Sequence, residues 1–134
     1  MSIVDYGVDL STVEQPPLLP PGPYPAEIVG ATEKTSGKGN RYLNIVFRIH
    51  PESYPADFVD GDPDGIELHY NLVQLENSAR NRYQMRRLLE RIGMNIHVSS
   101  VDFNDMIGRT ATIETTHTEW QDEQRVQVAR VLAP

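Results

Sequence analysis

Lys34 and Lys38, the only two lysines of the chain, lie in a glycine-rich turn that runs straight into Arg41 and Tyr42. Residues of these types at this spacing suit one chemistry well. Ammonium and guanidinium groups track phosphates, and an exposed ring offers a face for a nucleobase, worth about 1–3 kcal/mol per base. Arg48 shares the strand parity of Tyr42 and extends the set. The sole tryptophan, Trp120, is a second stacking candidate, and Arg109 and Arg125 could add phosphate contacts from neighbouring strands. The same residues also describe an ordinary solvated hairpin, and Trp120 serves equally as a packing lid over the end of the body.

Other chemistries are poorly supplied. With no cysteine, disulfides, thiolate zinc sites and thiol catalysis are excluded. His50, His69, His97 and His117 have no spacing that puts two on one face. Asp60-Gly61-Asp62-Pro63-Asp64-Gly65 matches the front half of a calcium loop, but Asn71 stands where the bidentate glutamate belongs. Ser36-Gly37-Lys38-Gly39-Asn40 lacks the spacing of a phosphate loop, and there is no nucleophile elbow or dinucleotide fingerprint. The expectation is a binding protein and not an enzyme, with no metal and no cofactor.

The elements that must position these residues follow from periodicity. Gln15-Pro16-Pro17-Leu18-Leu19-Pro20-Pro21-Gly22-Pro23 cannot form a helix, so residues 1–22 are expected to be an extended proline-rich arm. Leu18 and Leu19 would fill a groove on the body, with docking to a partner as the other reading. Residues 23–134 form the domain. A first strand runs from about Tyr24 to Glu33, with Ala26, Ile28 and Gly30 on one face and Gly30 marking a bulge or bend. In the second strand Leu43, Ile45, Phe47 and Ile49 oppose Tyr42, Asn44, Val46 and Arg48. After an acidic loop, the third strand sets Ile66, Leu68, Tyr70 and Leu72 against Glu67, His69, Asn71 and Val73. A helix follows, capped by Asn77 or Ser78 and stopped at Gly93, with Met85, Leu88, Leu89 and Ile92 as its apolar stripe. A fourth strand spans Arg109 to Thr116, a turn from His117 to Glu123 holds Trp120, and a last strand spans Gln124 to Leu132.

Three strands, a helix and two strands is the order of the oligonucleotide-binding (OB) fold, a five-stranded Greek-key barrel whose helix lies between strands 3 and 4. The helix stripe would plug the barrel's open end and leave Arg82, Arg86, Arg87 and Arg91 on a solvated side. At 134 residues and 39% hydrophobic, the chain can bury a single core without staples. A net charge of −7 argues against coating nucleic acid by charge alone, yet the charge is segregated. Residues 52 to 76 are acidic and hold no Lys or Arg, whereas residues 80 to 91 carry five arginines. No apolar run suffices to span a bilayer and no signal peptide is evident, so the cytoplasm is the expected compartment.

Four segments carry a resemblance. They are Gly22-Pro23-Tyr24-Pro25-Ala26-Glu27-Ile28, Ser36-Gly37-Lys38-Gly39-Asn40-Arg41-Tyr42-Leu43, Leu88-Leu89-Glu90-Arg91-Ile92-Gly93 and Asp105-Met106-Ile107-Gly108-Arg109-Thr110-Ala111. Over residues 22 to 132 the chain resembles a family of small bacteriophage proteins that look like single-stranded DNA-binding proteins. The resemblance implies an OB-fold barrel, sequence-tolerant binding of single-stranded DNA in phage replication or recombination, and a place in the cytoplasm of an infected bacterial host. Phage or host replication and recombination proteins are the implied partners, and oligomers fit the same picture. Bacterial-type binders usually end in an acidic tail that recruits partners; here Ala129-Arg130-Val131-Leu132-Ala133-Pro134 stands instead. The alternative is an OB-fold interaction module that docks on a replication or virion protein through the acidic loop and the proline-rich arm.

Overall fold

Alternating apolar and polar side chains become one antiparallel sheet. The computed structural model describes residues 2–59 and 61–134. Its strands are β1 (Gly22–Thr35), β2 (Arg41–Ile49), β3 (Ile66–Gln74), β4 (Thr110–Trp120) and β5 (Glu123–Leu132), with helix α1 (Ala79–Arg91) between β3 and β4. The strands are ordered β3-β2-β1-β4-β5. The long β1 pairs with β2 along its second half and with β4 along its first. β3 and β5 approach each other, but no hydrogen-bonded ladder joins them among the described residues, so the sheet is open.

The core lies on the inner face. Leu43, Ile45, Phe47 and Ile49 of β2 are fully buried, as the strand's alternation requires, together with Ile28 and Ile113. Two expectations of parity fail where bulges intervene. In β1 the register shifts between Ile28 and Gly30, so the bulge expected near Gly30 is present, but Ala31 and not Gly30 continues the inward face of Ala26 and Ile28. In β3, Leu43 pairs with Val73 and Ile45 with Tyr70, so Asn71 and Leu72 together face Asn44. The extra residue reverses the expected pattern: Val73 is buried and Leu72 is 58% exposed.

Helix α1 covers the end of the core. The Ser78 hydroxyl accepts from the Asn81 amide at 3.2 Å, satisfying one of the orphan donors at the helix start. At its other end Met94 N donates to Leu89 O and Gly93 N to Glu90 O, with Gly93 at φ +77°, a Schellman stop. Leu88, Leu89 and Ile92 are buried and Met85 packs half-buried beside them, so the expected stripe faces the core. The arm is tied down at its near end. Leu19 is buried with the core, its carbonyl accepts from His117 Nε2 at 2.7 Å, and Tyr24 Oη donates to Pro20 O at 2.6 Å.

One loop expectation also changes. β4 continues through Trp120, and only Gln121 and Asp122 turn the chain, at φ +51° and +61°. This is a two-residue hairpin of the I′ kind, matched to the strands' twist, and Trp120 is the last residue of a strand. Asp60, the first acid of the calcium-loop match, lies outside the described residues. Among the described residues no helix is long and apolar enough to cross a membrane.

Candidate nucleic-acid interface

The β1–β2 turn is built to hold two lysines away from the body. Ser36 N donates to Asn40 O at 2.8 Å, Gly39 N to Ser36 O at 2.9 Å, and the Ser36 hydroxyl accepts from Asn40 N at 3.1 Å. Gly39 sits at φ +85°, which closes the turn without a Cβ penalty. Lys34 pairs in register with Tyr42, and Lys38 projects from the tip; both are exposed. Neither forms an ion pair among the described residues. Arg41 does, with Glu33 across the hairpin. Tyr42, directly opposite Lys34 and so on its face, is half-buried and pairs in register with Gln74 of β3, while Arg41 and Glu33 lie on the alternate face.

Farther along β2 the outer face is polar and uncharged, then acidic. The Asn44 amide donates to Asn71 Oδ1 and lies 3.2 Å from His69 Nδ1, and neighbouring side chains leave Asn44 only 4% exposed. Arg48 ends this row. Its guanidinium donates to Glu67, it pairs in register with Glu27, and Glu27 in turn meets His50 Nε2 at 3.0 Å. Arg48 is therefore neutralised by its own surroundings, with Nε buried and without a hydrogen-bond partner among the described residues.

The remaining sequence candidates lie elsewhere. Arg109 donates from Nε to Asp105 O at 2.9 Å and from Nη1 to Gly93 O at 3.0 Å, clamping the end of α1 to the turn that precedes β4. Trp120 and Arg125 meet each other: the guanidinium carbon sits 4.5 Å from the ring centroid, while Trp120 remains 53% exposed. Glu123 stands 3.7 Å from the same arginine. Their hairpin extends beyond the Gly22 end of β1, and the lysine hairpin lies beyond its Thr35 end. The structure thus gathers Lys34, Lys38, Arg41 and Tyr42 at one hairpin and Trp120 with Arg125 at another, and leaves Arg48 and Arg109 apart from both.

The arginine-rich helix noted in the sequence forms a second basic region. Helix α1 carries Arg80, Arg82, Arg87 and Arg91 without carboxylate partners among the described residues, and only Arg86 is paired, with Glu90 at 2.8 Å. Between α1, β3 and β5 lies a cleft of about 320 Å³ lined by Tyr70, Leu72, Tyr83, Arg87, Arg91 and Val131, among others. Arg87 donates to Tyr83 Oη at 2.9 Å and lies over the same ring. Burial pushes the Tyr70 phenol above its ordinary pKa, with Arg91 opposing in part. Arginine spacing on the helix was the available signal. The cleft itself needs Val131, forty residues away from Arg91 in the chain, and no local pattern reveals that.

No protein-family model matches the chain, and no curated protein matches it.

Proposed function

We propose that this protein binds single-stranded DNA with little sequence preference, along the outer face of β1, β2 and β3. The observation that carries the reading is the β1–β2 hairpin. Two lysines without acidic partners among the described residues stand at a stapled turn, Lys34 at its base directly opposite Tyr42 and Lys38 at its tip. Lys34 and Lys38 contact phosphates, Tyr42 stacks a base, and the uncharged His69 and Asn71 surface, underpinned by the buried Asn44, lets the strand pass without repulsion. Arg41 contributes in competition with Glu33. Trp120 and Arg125 form a separate stacking platform at the β4–β5 hairpin, reached by a longer oligonucleotide.

The scaffold in this proposal is an OB barrel. The order β3-β2-β1-β4-β5 is that barrel's cyclic order cut between β3 and β5, with the helix at the cut. The sequence resemblance supplies the setting, phage replication or recombination in a bacterial cytoplasm, where a binder of this kind protects single strands without catalysing a reaction.

Titration of a labelled oligothymidine at low and high salt, with Trp120 emission followed in parallel, tests the proposal. Binding at low salt is expected, with a log–log salt slope of about −2 if three phosphates are neutralised. Absence of binding at low salt sinks the proposal. Binding with unchanged tryptophan emission confines the site to the β1–β2 side.

A further inference from the structure

Val4, Tyr6, Val8 and Leu10 alternate with Asp5, Gly7 and Asp9, which is the period of a strand with one buried face. The structure gives that face nothing to cover. Val4, Tyr6, Val8 and Leu10 are 67%, 66%, 62% and 61% exposed, and residues 4–9 join no strand or helix. The charges of this arm segment, Asp5, Asp9 and Glu14, are all acidic. In this copy Gly7, at φ +72°, bends the segment and Leu10–Thr12 forms a 3-10 turn; drawn out as a strand, it would carry its apolar side chains on one face and Asp5 and Asp9 on the other, which is half of an interface.

The cleft between α1, β3 and β5 has the complementary character. Leu72 and Tyr83 stand on it 58% and 56% exposed, and Arg87 and Arg91 line it without carboxylate partners among the described residues. β3 and β5 are the two edges of the sheet, so an extended segment entering here finds unpaired backbone beside an apolar and cationic wall. Apolar side chains cover Leu72 and Tyr83 while carboxylates meet the arginines.

The arm cannot turn simply into the cleft of its own chain. Leu19 is held at His117 and Gln15 Nε2 donates to Gln124 O at 2.9 Å, so passing back from residue 19 to residue 15 the arm runs toward the Gln121–Asp122 hairpin tip. The cleft is at Val131, near the opposite end of β5. Pro16 and Pro17 hold the chain extended on that heading, and upstream of them Val13, Leu10 and Val8 are all more than half exposed. From these directions and charges we infer that residues Val4–Leu10 of one copy seat in the α1–β3–β5 cleft of a second copy.

The test is solution mass without nucleic acid. Light scattering and sedimentation equilibrium across a concentration series are expected to show the full chain above monomer mass. A variant lacking residues 1–13 is expected to be monomeric with an unchanged circular dichroism spectrum. Arg87→Glu with Arg91→Glu is expected to abolish association, and adding Asp5→Arg with Asp9→Arg to restore it, which no unfolding artefact would produce. A full chain that stays monomeric throughout, or a truncation that leaves the mass unchanged, overturns the inference. So does a monomer in which a peptide of residues 2–14 binds only the truncated chain, since that result places the arm in its own cleft. DNA binding enters none of these readouts, so the arm and the hairpin stand or fall separately.

Discussion

Ion pairing decides which cations remain available to a phosphate. Lys34 and Lys38 are unpaired among the described residues, while Arg41 and Arg48 face Glu33 and Glu67. Lys34→Ala with Lys38→Ala should therefore flatten the salt slope of oligothymidine binding by about 1.4, at about 0.7 per lost phosphate contact. Arg48→Ala should leave the slope nearly unchanged. Glu33→Gln should do the reverse of the lysine change, releasing Arg41 and tightening binding at low salt. Fluorescence titrations at several salt concentrations measure all three. Arg109 belongs to a different account, because its donors are spent on the carbonyls of Asp105 and Gly93. Arg109→Ala should cost about 1–2 kcal/mol in urea unfolding and leave the salt slope of DNA binding intact. The residue types of the site were legible in the sequence. Their availability was not, because Arg48 meets Glu67 through the β2–β3 register, which no local spacing encodes.

Elements show the same division between local and non-local signals. The β2 alternation and the α1 stripe are periodic over their whole length, and both faces come out as the pattern requires. Periodicity fails where one residue is inserted into a ladder. Asn71-Leu72 forms the β3 bulge with neither glycine nor proline to mark it, so Leu72 and Val73 exchange faces without warning. Gln121-Asp122 closes the β4–β5 hairpin although Asn-Gly or Asp-Gly is the usual pair for such a turn, and Trp120 thereby looks like a loop residue when it is a strand end. Gly93 is the contrary case, a stop visible from sequence for a reason that the backbone makes plain. It lies at φ +77°, and a Cβ there would meet nothing nearer than Arg109 Nη1 at 3.9 Å. The cost of Gly93→Ala is then backbone strain and not collision, about 1 kcal/mol. Urea unfolding should show that loss with an unchanged m-value, and a much larger loss would mean that the clamp to Arg109 had also been broken.

At the scale of the whole molecule, the question is where the arm ends and the body begins. Composition changes just past residue 22, where the proline-rich run ends at Pro25, but packing changes earlier. Leu19 is 1% exposed within the core cluster, and its carbonyl and that of Pro20 are fixed by His117 and Tyr24. Upstream of Gln15, by contrast, Val13, Leu10 and Val8 are all more than half exposed. Two truncations should consequently behave differently. Removing residues 1–13 takes away a segment whose large apolar side chains from Ile3 to Val13 are exposed on this copy, so at concentrations where the full chain is monomeric the midpoint of thermal unfolding should hold. Removing residues 1–21 deletes Leu19 and leaves a cavity beside His117 and Tyr24, a loss of about 3 kcal/mol by analogy with buried leucine deletions. For a chain of this size that is on the order of 10 °C in Tm. Leu19→Ala in the full chain should reproduce most of the second effect and none of the first. If the point variant unfolds at the wild-type temperature while the longer truncation does not, the stabilisation comes from the strap's backbone hydrogen bonds and not from the leucine. If both remain stable, the core closes without the arm, and the whole of residues 1–21 is free to serve contacts between molecules.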